Sequence, residues 1–281
     1  MTVTRRSALA ALGAGLSVGG VGTAVYGDGG PGSRSPKALV AGSLLWVADG
    51  LGDATVEAHG SAAVRRLVVE GARDPDAVAL ADPRLFDGVA DRAALFATNA
   101  LVVAYDSESP HAAAIRRDWR AALRREDCVL GRTDPDVDPL GYRTVMALRL
   151  AGREAGFDAS AVLDRSRVVR ETDLPNVLEA GGVDAAVVYR NMAVQRGLPY
   201  VGLPDRVDFS TPARAETYAT ASYELPEGTV RGAPIRYAAT ALTDRGEPWV
   251  DRLVTAGGAL RDAGFVVPEG YPRRDVPVGR E

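Results

Sequence analysis

The sequence predicts an α/β fold with largely parallel sheets, on three observations. Apolar or alternating strand-like runs alternate with segments whose apolar residues recur at helical spacing. A chain of 281 residues, 46% apolar and 25% charged, can bury a sizeable core and is long enough for one large domain or two lobes. Its single cysteine, Cys128, excludes a disulfide scaffold and any Cys-clustered zinc or iron–sulfur site.

The N-terminus carries Arg5-Arg6 ahead of a weakly apolar stretch from Ala8 to Val25 that already holds four glycines by Gly20. Paired arginines before such a stretch form the twin-arginine export pattern, and the stretch is too glycine-rich to favour a permanent span. Residues 1–26 are therefore expected to be an export signal, 27–36 a Gly/Pro/Ser linker, and 37–281 the working domain, acting outside the cytoplasm. No cysteine follows the apolar run to take a lipid, and no clear A-x-A site is present, so membrane association would come through an uncleaved leader or a membrane partner.

Ala38–Ala41 reads as a strand running into Gly42-Ser43-Leu44, and Thr55–Ala58 as a second. Gly60-Ser61 opens a helix to about Glu70, with Ala63, Val64, Leu67 and Val68 at helical spacing. Strands follow at Ala77–Ala81 and Leu101–Tyr105, the latter a continuous apolar run of the buried kind. Helices are expected near His111–Arg124, Gly141–Ala155 and Asp173–Ala180. Strands at Val183–Tyr189, Tyr200–Leu203 and Tyr237–Leu242 and a last helix over Trp249–Ala263 complete the series. No internal repeat occurs at a fixed period.

Two strand-to-helix turns carry Gly-Ser, at Gly42-Ser43 and Gly60-Ser61. Glycine admits close backbone approach and serine sets a hydroxyl beside free helix N–H groups, which suits an anion; serine is equally an ordinary N-cap. Asp138 before Pro139 either caps a helix that begins near Gly141 or projects an oxygen ligand into a cleft, with the Pro139–Gly141 amide region beside it. Glu171 is either a surface charge or a second carboxylate ligand. Tyr189 ends an apolar strand, where it could present a phenol at the carboxyl edge of the sheet, the edge at which open α/β sheets bind ligands.

Other chemistries find little support. The two histidines, His59 and His111, stand in no motif, Cys128 reads as a small buried apolar side chain, and Trp46, Trp119 and Trp249 read as packing. A formal charge of −4, about −5 once the leader is set aside, excludes a strongly basic nucleic-acid binder. No nucleophile elbow, Walker loop, zinc-protease motif or dinucleotide fingerprint occurs.

Taken in order, Ala41-Gly42-Ser43-Leu44, His59-Gly60-Ser61 through Arg65, Phe96–Tyr105, Gly131–Arg143, Glu171–Leu174, Leu178–Asp184, Tyr189–Gln195 and Leu203-Pro204 resemble the archaeal type of tungstate/molybdate-binding protein. That family comprises extracytoplasmic receptors of ABC importers. The resemblance implies a two-lobed, type II periplasmic-binding-protein-like fold with two crossover strands, near Ala97–Tyr105 and Ile235–Leu242. Lobe one would comprise about 37–97 and 242–281, and lobe two about 104–234. It implies a site of Gly42, Ser43, Ser61, Asp138, Pro139, Leu140, Glu171 and Tyr189, in which Asp138 and Glu171 coordinate the molybdenum or tungsten of the bound oxyanion. Leu140 stands where the family often has cysteine, and with only 17 residues between Ser43 and Ser61 the first helix is cut short.

On this reading the site contains no lysine or arginine. The resemblance implies a monomeric receptor without cofactor or enzymatic activity, expected to deliver molybdate or tungstate to a permease and its ATPase and to have no nucleic-acid partner. The competing expectations are a receptor for sulfate or thiosulfate, and an exported enzyme or sensor on the same scaffold.

Overall fold

A computed structural model describes residues 35–136, 138–225 and 228–279. The expected export signal and nearly all of the expected linker lie outside these residues. The strands are β1 (Lys37–Ala41), β2 (Thr55–His59), β3 (Ala77–Leu80), β4 (Arg92–Asn99), β5 (Leu101–Tyr105), β6 (Leu130–Arg132) and β7 (Arg167–Val168). They continue with β8 (Ala185–Tyr189), β9 (Tyr200–Gly202), β10 (Ser222–Leu225), β11 (Gly228–Arg231), β12 (Ile235–Ala241) and β13 (Arg273–Pro277).

Two sheets form the two lobes. One runs β13-β4-β12-β3-β1-β2 and the other β7-β6-β8-β5-β9, with β10 and β11 as a separate antiparallel hairpin. The expectation of largely parallel sheets is corrected: only β1–β2, β1–β3, β6–β7 and β6–β8 pair in parallel. The reason lies in the connections. Helical crossovers return the chain for parallel pairing, whereas β4 passes into β5 through Ala100 alone, and β5 and β12 each enter a sheet against its neighbours.

Strand composition follows burial. β3 and β8 are buried along their whole length and read Ala-Val-Ala-Leu and Ala-Ala-Val-Val-Tyr, whereas the edge strand β2 is only half-buried and carries Glu57 and His59. Helices break where local chemistry competes with them. The expected helix 111–124 is split at Asp118, whose extended backbone ends Ala112–Arg117 while its carboxylate accepts from the Arg120 and Ala121 amides and caps Trp119–Leu123. The last expected helix divides at Ala256, without a side-chain cap, into Glu247–Thr255 and Gly257–Asp262, the second opening on Gly257-Gly258.

Around β4 and β12 the core is aromatic. Tyr237 packs edge-on against Phe265 at 5.1 Å and lies 6.3 Å from Phe96, and all three are buried. Trp249 and Trp119 are buried, as packing residues should be, but Trp46 is 65% exposed and does not behave as one. Among the described residues no helix is long and apolar enough to cross a membrane.

Candidate functional site

Parallel pairing puts the two Gly-Ser turns side by side. β1 and β2 pair with Ala41 opposite His59, so Gly42-Ser43 and Gly60-Ser61 leave the same sheet edge one strand apart. The first turn enters a short 3-10 segment, Gly42–Leu44, and then a six-residue helix, Leu45–Gly50; the second opens the helix Ser61–Val69. Ser61 Oγ accepts the Ala81 amide at 3.0 Å, which leaves its own proton free to be donated outward. Ser43 is half-buried, and its Oγ lies 3.1 Å from the Tyr237 hydroxyl.

The second lobe repeats the device with a different chemistry. β7, β6 and β8 are parallel neighbours, so the segments that follow them emerge together and bring Glu171, Asp138 and Tyr189 to one edge. Tyr189 also pairs with Leu101, the first residue of β5, and so stands beside the crossover.

Asp138 caps the helix Pro139–Ala155: its Oδ1 accepts from the Gly141 amide at 3.0 Å and from Thr133 Oγ1 at 2.9 Å. Both of these bonds fall on Oδ1, so the capping role leaves Oδ2 uncommitted to either. Pro139 has no N–H to donate, and the fully buried Leu140 accepts from Thr144 Oγ1 at its carbonyl, so only the Leu140 main chain can matter to a ligand. Gly141 cannot be anything larger without rearrangement: a Cβ there would lie 2.4 Å from the backbone of Asp134, where the preceding loop doubles back onto the helix. Glu171 is half-buried and accepts no hydrogen bond from a described residue.

One residue corrects the expectation of a site without cations. Arg143, only 6% exposed, donates from Nη1 to the Tyr189 hydroxyl at 2.7 Å and lies over the Tyr142 and Tyr189 rings at 5.7 and 6.0 Å. No described carboxylate comes within ion-pair distance of it. Burial alone would lower its pKa, but Tyr189, Tyr142 and Asp82 outweigh burial and hold it raised, so it is a permanent cation. Its field reaches Asp82 from lobe one, Glu171 and Tyr189 from lobe two, and Tyr237 between them.

The carboxylates respond to the same surroundings. Burial raises Asp138 above the usual carboxylate range against the pull of its cap bonds. Burial and then the charge of Asp138 raise Glu171, which Arg143 partly offsets. Asp138 and Arg143 thus both act on Glu171. Among the described residues no group of three or more His, Cys, Asp or Glu could hold a free metal ion. Two carboxylates and an arginine suit a species that brings its own oxygens rather than a bare cation.

Cys128 and His59 are occupied elsewhere. Cys128 is buried, with its thiol pushed up to about 11 by burial and by Asp184 and Asp127, and it serves packing. His59 is held by Glu57 at 2.8 Å on the edge strand.

Arg143 carried a readable signal. Leu140, Arg143, Thr144, Ala147 and Ala151 share one helical face, so a charge at 143 interrupts an otherwise core-facing stripe. Asn99 and Tyr237 lie at the crossover and form a buried polar pair there. The signal for Asn99 was weaker, a polar residue inside the apolar run 93–104.

A family model described as bacterial extracellular solute-binding protein matches residues 52–265. The chain is 47% identical, over 98% of its length and 96% of the relative's, to a Haloferax volcanii protein provisionally named as an ABC transporter molybdenum-binding protein. It is 31% identical to the molybdate/tungstate-binding protein WtpA of Thermococcus kodakarensis, covering 67% of this chain and 63% of that one. In structure it is similar to the periplasmic molybdate-binding protein of Azotobacter vinelandii, with a TM-score of 0.56 at 15% identity over 83% of this chain and 100% of that one. It is also similar to the substrate-binding domain of a provisionally named molybdenum ABC transporter from Clostridium difficile, with a TM-score of 0.58 at 12% identity over 83% and 99%. The last two likenesses concern the two-lobed fold.

Proposed function

Because the chain belongs to the bacterial extracellular solute-binding protein family, we propose that it captures molybdate or tungstate outside the cytoplasm and delivers it to an ABC importer. The observation that carries the reading is Glu171: a half-buried carboxylate with no described hydrogen-bond partner, facing Asp138 in the space that Arg143 also addresses.

Beside an ordinary dianion that arrangement is unfavourable. Two like unit charges about 4 Å apart repel by roughly 4 kcal/mol at an effective dielectric of about 20. Coordination changes the sign. Mo(VI) and W(VI) accept hard oxygen ligands and expand from four oxygens to six, so Asp138 and Glu171 bond to the metal centre of the cargo instead of opposing its oxygens. Sulfur in sulfate does not expand in this way, and the two carboxylates then discriminate against it. Arg143 offsets one of the four negative charges that meet when the dianion enters. Ser43, Ser61, Tyr189 and the Leu140 main chain complete the oxygen cage, with Gly42 allowing close approach in lobe one and Pro139 setting the helix start in lobe two.

The protein acts as a monomeric receptor rather than an enzyme, and its exposed lobe surfaces dock on the permease that the ATPase drives. Export follows the twin-arginine route, with membrane association through an uncleaved leader or through the permease. We take sheet membership as the lobe boundary, which moves residues 235–241 into lobe one.

Calorimetry with tungstate, molybdate, sulfate and phosphate tests the reading. Tungstate and molybdate should bind far more tightly than the other two. Asp138→Ala and Glu171→Ala should each narrow the tungstate-over-sulfate preference by at least about tenfold, or about 1.4 kcal/mol. Unchanged discrimination in both variants would refute the coordination model, and preferential sulfate binding by the unmodified protein would favour a sulfate receptor.

A further inference from the structure

Where the two lobes meet, the side chains of Asn99, Asn191 and Tyr237 close a largely buried hydrogen-bond ring with the hydroxyl and main-chain carbonyl of Ser43. Asn99 Nδ2 donates to Asn191 Oδ1 at 2.8 Å and to the Tyr237 hydroxyl at 3.2 Å. Asn191 Nδ2 donates to the Ser43 carbonyl at 3.1 Å, and the Tyr237 hydroxyl lies 3.1 Å from Ser43 Oγ. Asn99, Asn191 and Tyr237 are at most 1% exposed, and they come from β4, the helix Arg190–Arg196 and β12.

The direction of every bond follows from two backbone groups that have no choice of role. The Ala100 amide can only donate, and it donates to Asn99 Oδ1 at 3.0 Å, so Nδ2 of Asn99 must face Asn191 and Tyr237. The Ser43 carbonyl can only accept, so Nδ2 of Asn191 faces it and Oδ1 faces Asn99. Tyr237 therefore accepts from Asn99, and its own proton has one described partner left, Ser43 Oγ. Phe96 and Phe265 hold the ring in place, and burial keeps the phenol protonated. Having accepted from Tyr237, Ser43 has its own proton free to point out of the ring.

We propose that Asn99 and Tyr237 are positioning residues that set the polarity of the Ser43 hydroxyl, so that it donates to a fully deprotonated oxyanion and discriminates against one that carries a proton. The Ala81 amide does the same for Ser61 without an intermediary. Two hydroxyls that each already accept one bond and hold a free proton suit tungstate or molybdate, whose four oxygens all accept. Hydrogen phosphate and hydrogen arsenate bring an O–H that would then meet another donor's proton. This inference rests on the oxyanion reading above and adds the residues that enforce it.

The test is a double-mutant cycle on the full chain, with tungstate and arsenate as probes near neutral pH. Tyr237→Phe keeps the ring and removes the donor to Ser43. It should weaken tungstate about tenfold and narrow the tungstate-over-arsenate ratio by a similar factor, because Ser43 can then turn its lone pair to the arsenate proton. In a Ser43→Ala background the same substitution should add little, since Tyr237 acts through Ser43. Asn99→Ala, which frees the phenol to turn, should narrow the ratio likewise and serves if Tyr237→Phe does not fold. A folded Tyr237→Phe or Asn99→Ala protein with an unchanged ratio overturns the proposal, as do additive effects of Tyr237→Phe and Ser43→Ala. Failure of the unmodified protein to bind tungstate would instead defeat the oxyanion reading itself.

Discussion

Replacing Arg143 by methionine separates its electrostatic role from its packing role. The guanidinium is 6% exposed and no described carboxylate neutralises it at contact distance, so its charge acts on whatever occupies the space it shares with Glu171 and Asp82. At an effective dielectric of about 20, a unit charge roughly 8 Å away contributes about 2 kcal/mol per opposing charge, and a dianion doubles that. After relaxation and screening, about 2–3 kcal/mol should remain, a loss of roughly 30- to 160-fold in tungstate affinity by calorimetry. The acid limb should move too. Arg143 is what lowers Glu171 against burial, so without it Glu171 protonates at higher pH and binding fails earlier as pH falls. Stability should move the other way or not at all, because methionine fills similar volume without a buried charge. An affinity within about threefold of the unmodified protein and an unshifted pH profile would show that Arg143 only packs against Tyr189.

Two more predictions concern the same edge. Burial raises Glu171 in the folded state above its unfolded value of 4.5, so its stabilising contribution is present below 4.5 and is lost as pH rises through the folded value. Unliganded Glu171→Gln should therefore melt about 2 °C higher than the unmodified protein at pH 8, with the difference closing toward pH 4.5, while its tungstate-induced shift is reduced at pH 8. Gly141→Ala forces a Cβ to within 2.4 Å of the Asp134 backbone. It should cost roughly 1–3 kcal/mol in denaturant unfolding and also weaken tungstate, because the Gly141 amide holds Asp138. A fully stable Gly141→Ala protein would mean that the loop yields more easily than this packing implies.

The parts of the fold that were legible share one property: their pattern is local. Ala38–Ala41 running into Gly42-Ser43, the helix after Ser61 and the apolar runs at 101–105 and 183–189 each state their own geometry, and each appears at nearly the expected bounds. Strands that depend on partners were missed. β6 and β7 are three and two residues long and exist because β8 and β6 offer them edges, and β13 joins its sheet only through β4. The mixed sheet was missed for the same reason, since strand direction depends on which neighbour each crossover strand finds. Arg143 escaped notice because an arginine in a helix is usually solvated. Only the stripe through Leu140 and Ala147 marks it as inward-facing.

The sole lysine has a practical consequence. Lys37 is exposed at the start of β1, and Gly42-Ser43 follows that strand's far end. At roughly 3.3 Å per residue, the five-residue strand sets the Lys37 backbone about 17 Å from the Gly42-Ser43 turn. The only competing thiol, Cys128, is buried and its thiolate is scarce below about 11. Acylation of side-chain amines therefore marks one point on one lobe, at the opposite end of β1 from the proposed Gly42-Ser43 ligand turn. A surface coupled there would present every molecule with its mouth outward, ready for direct readout of oxyanion capture.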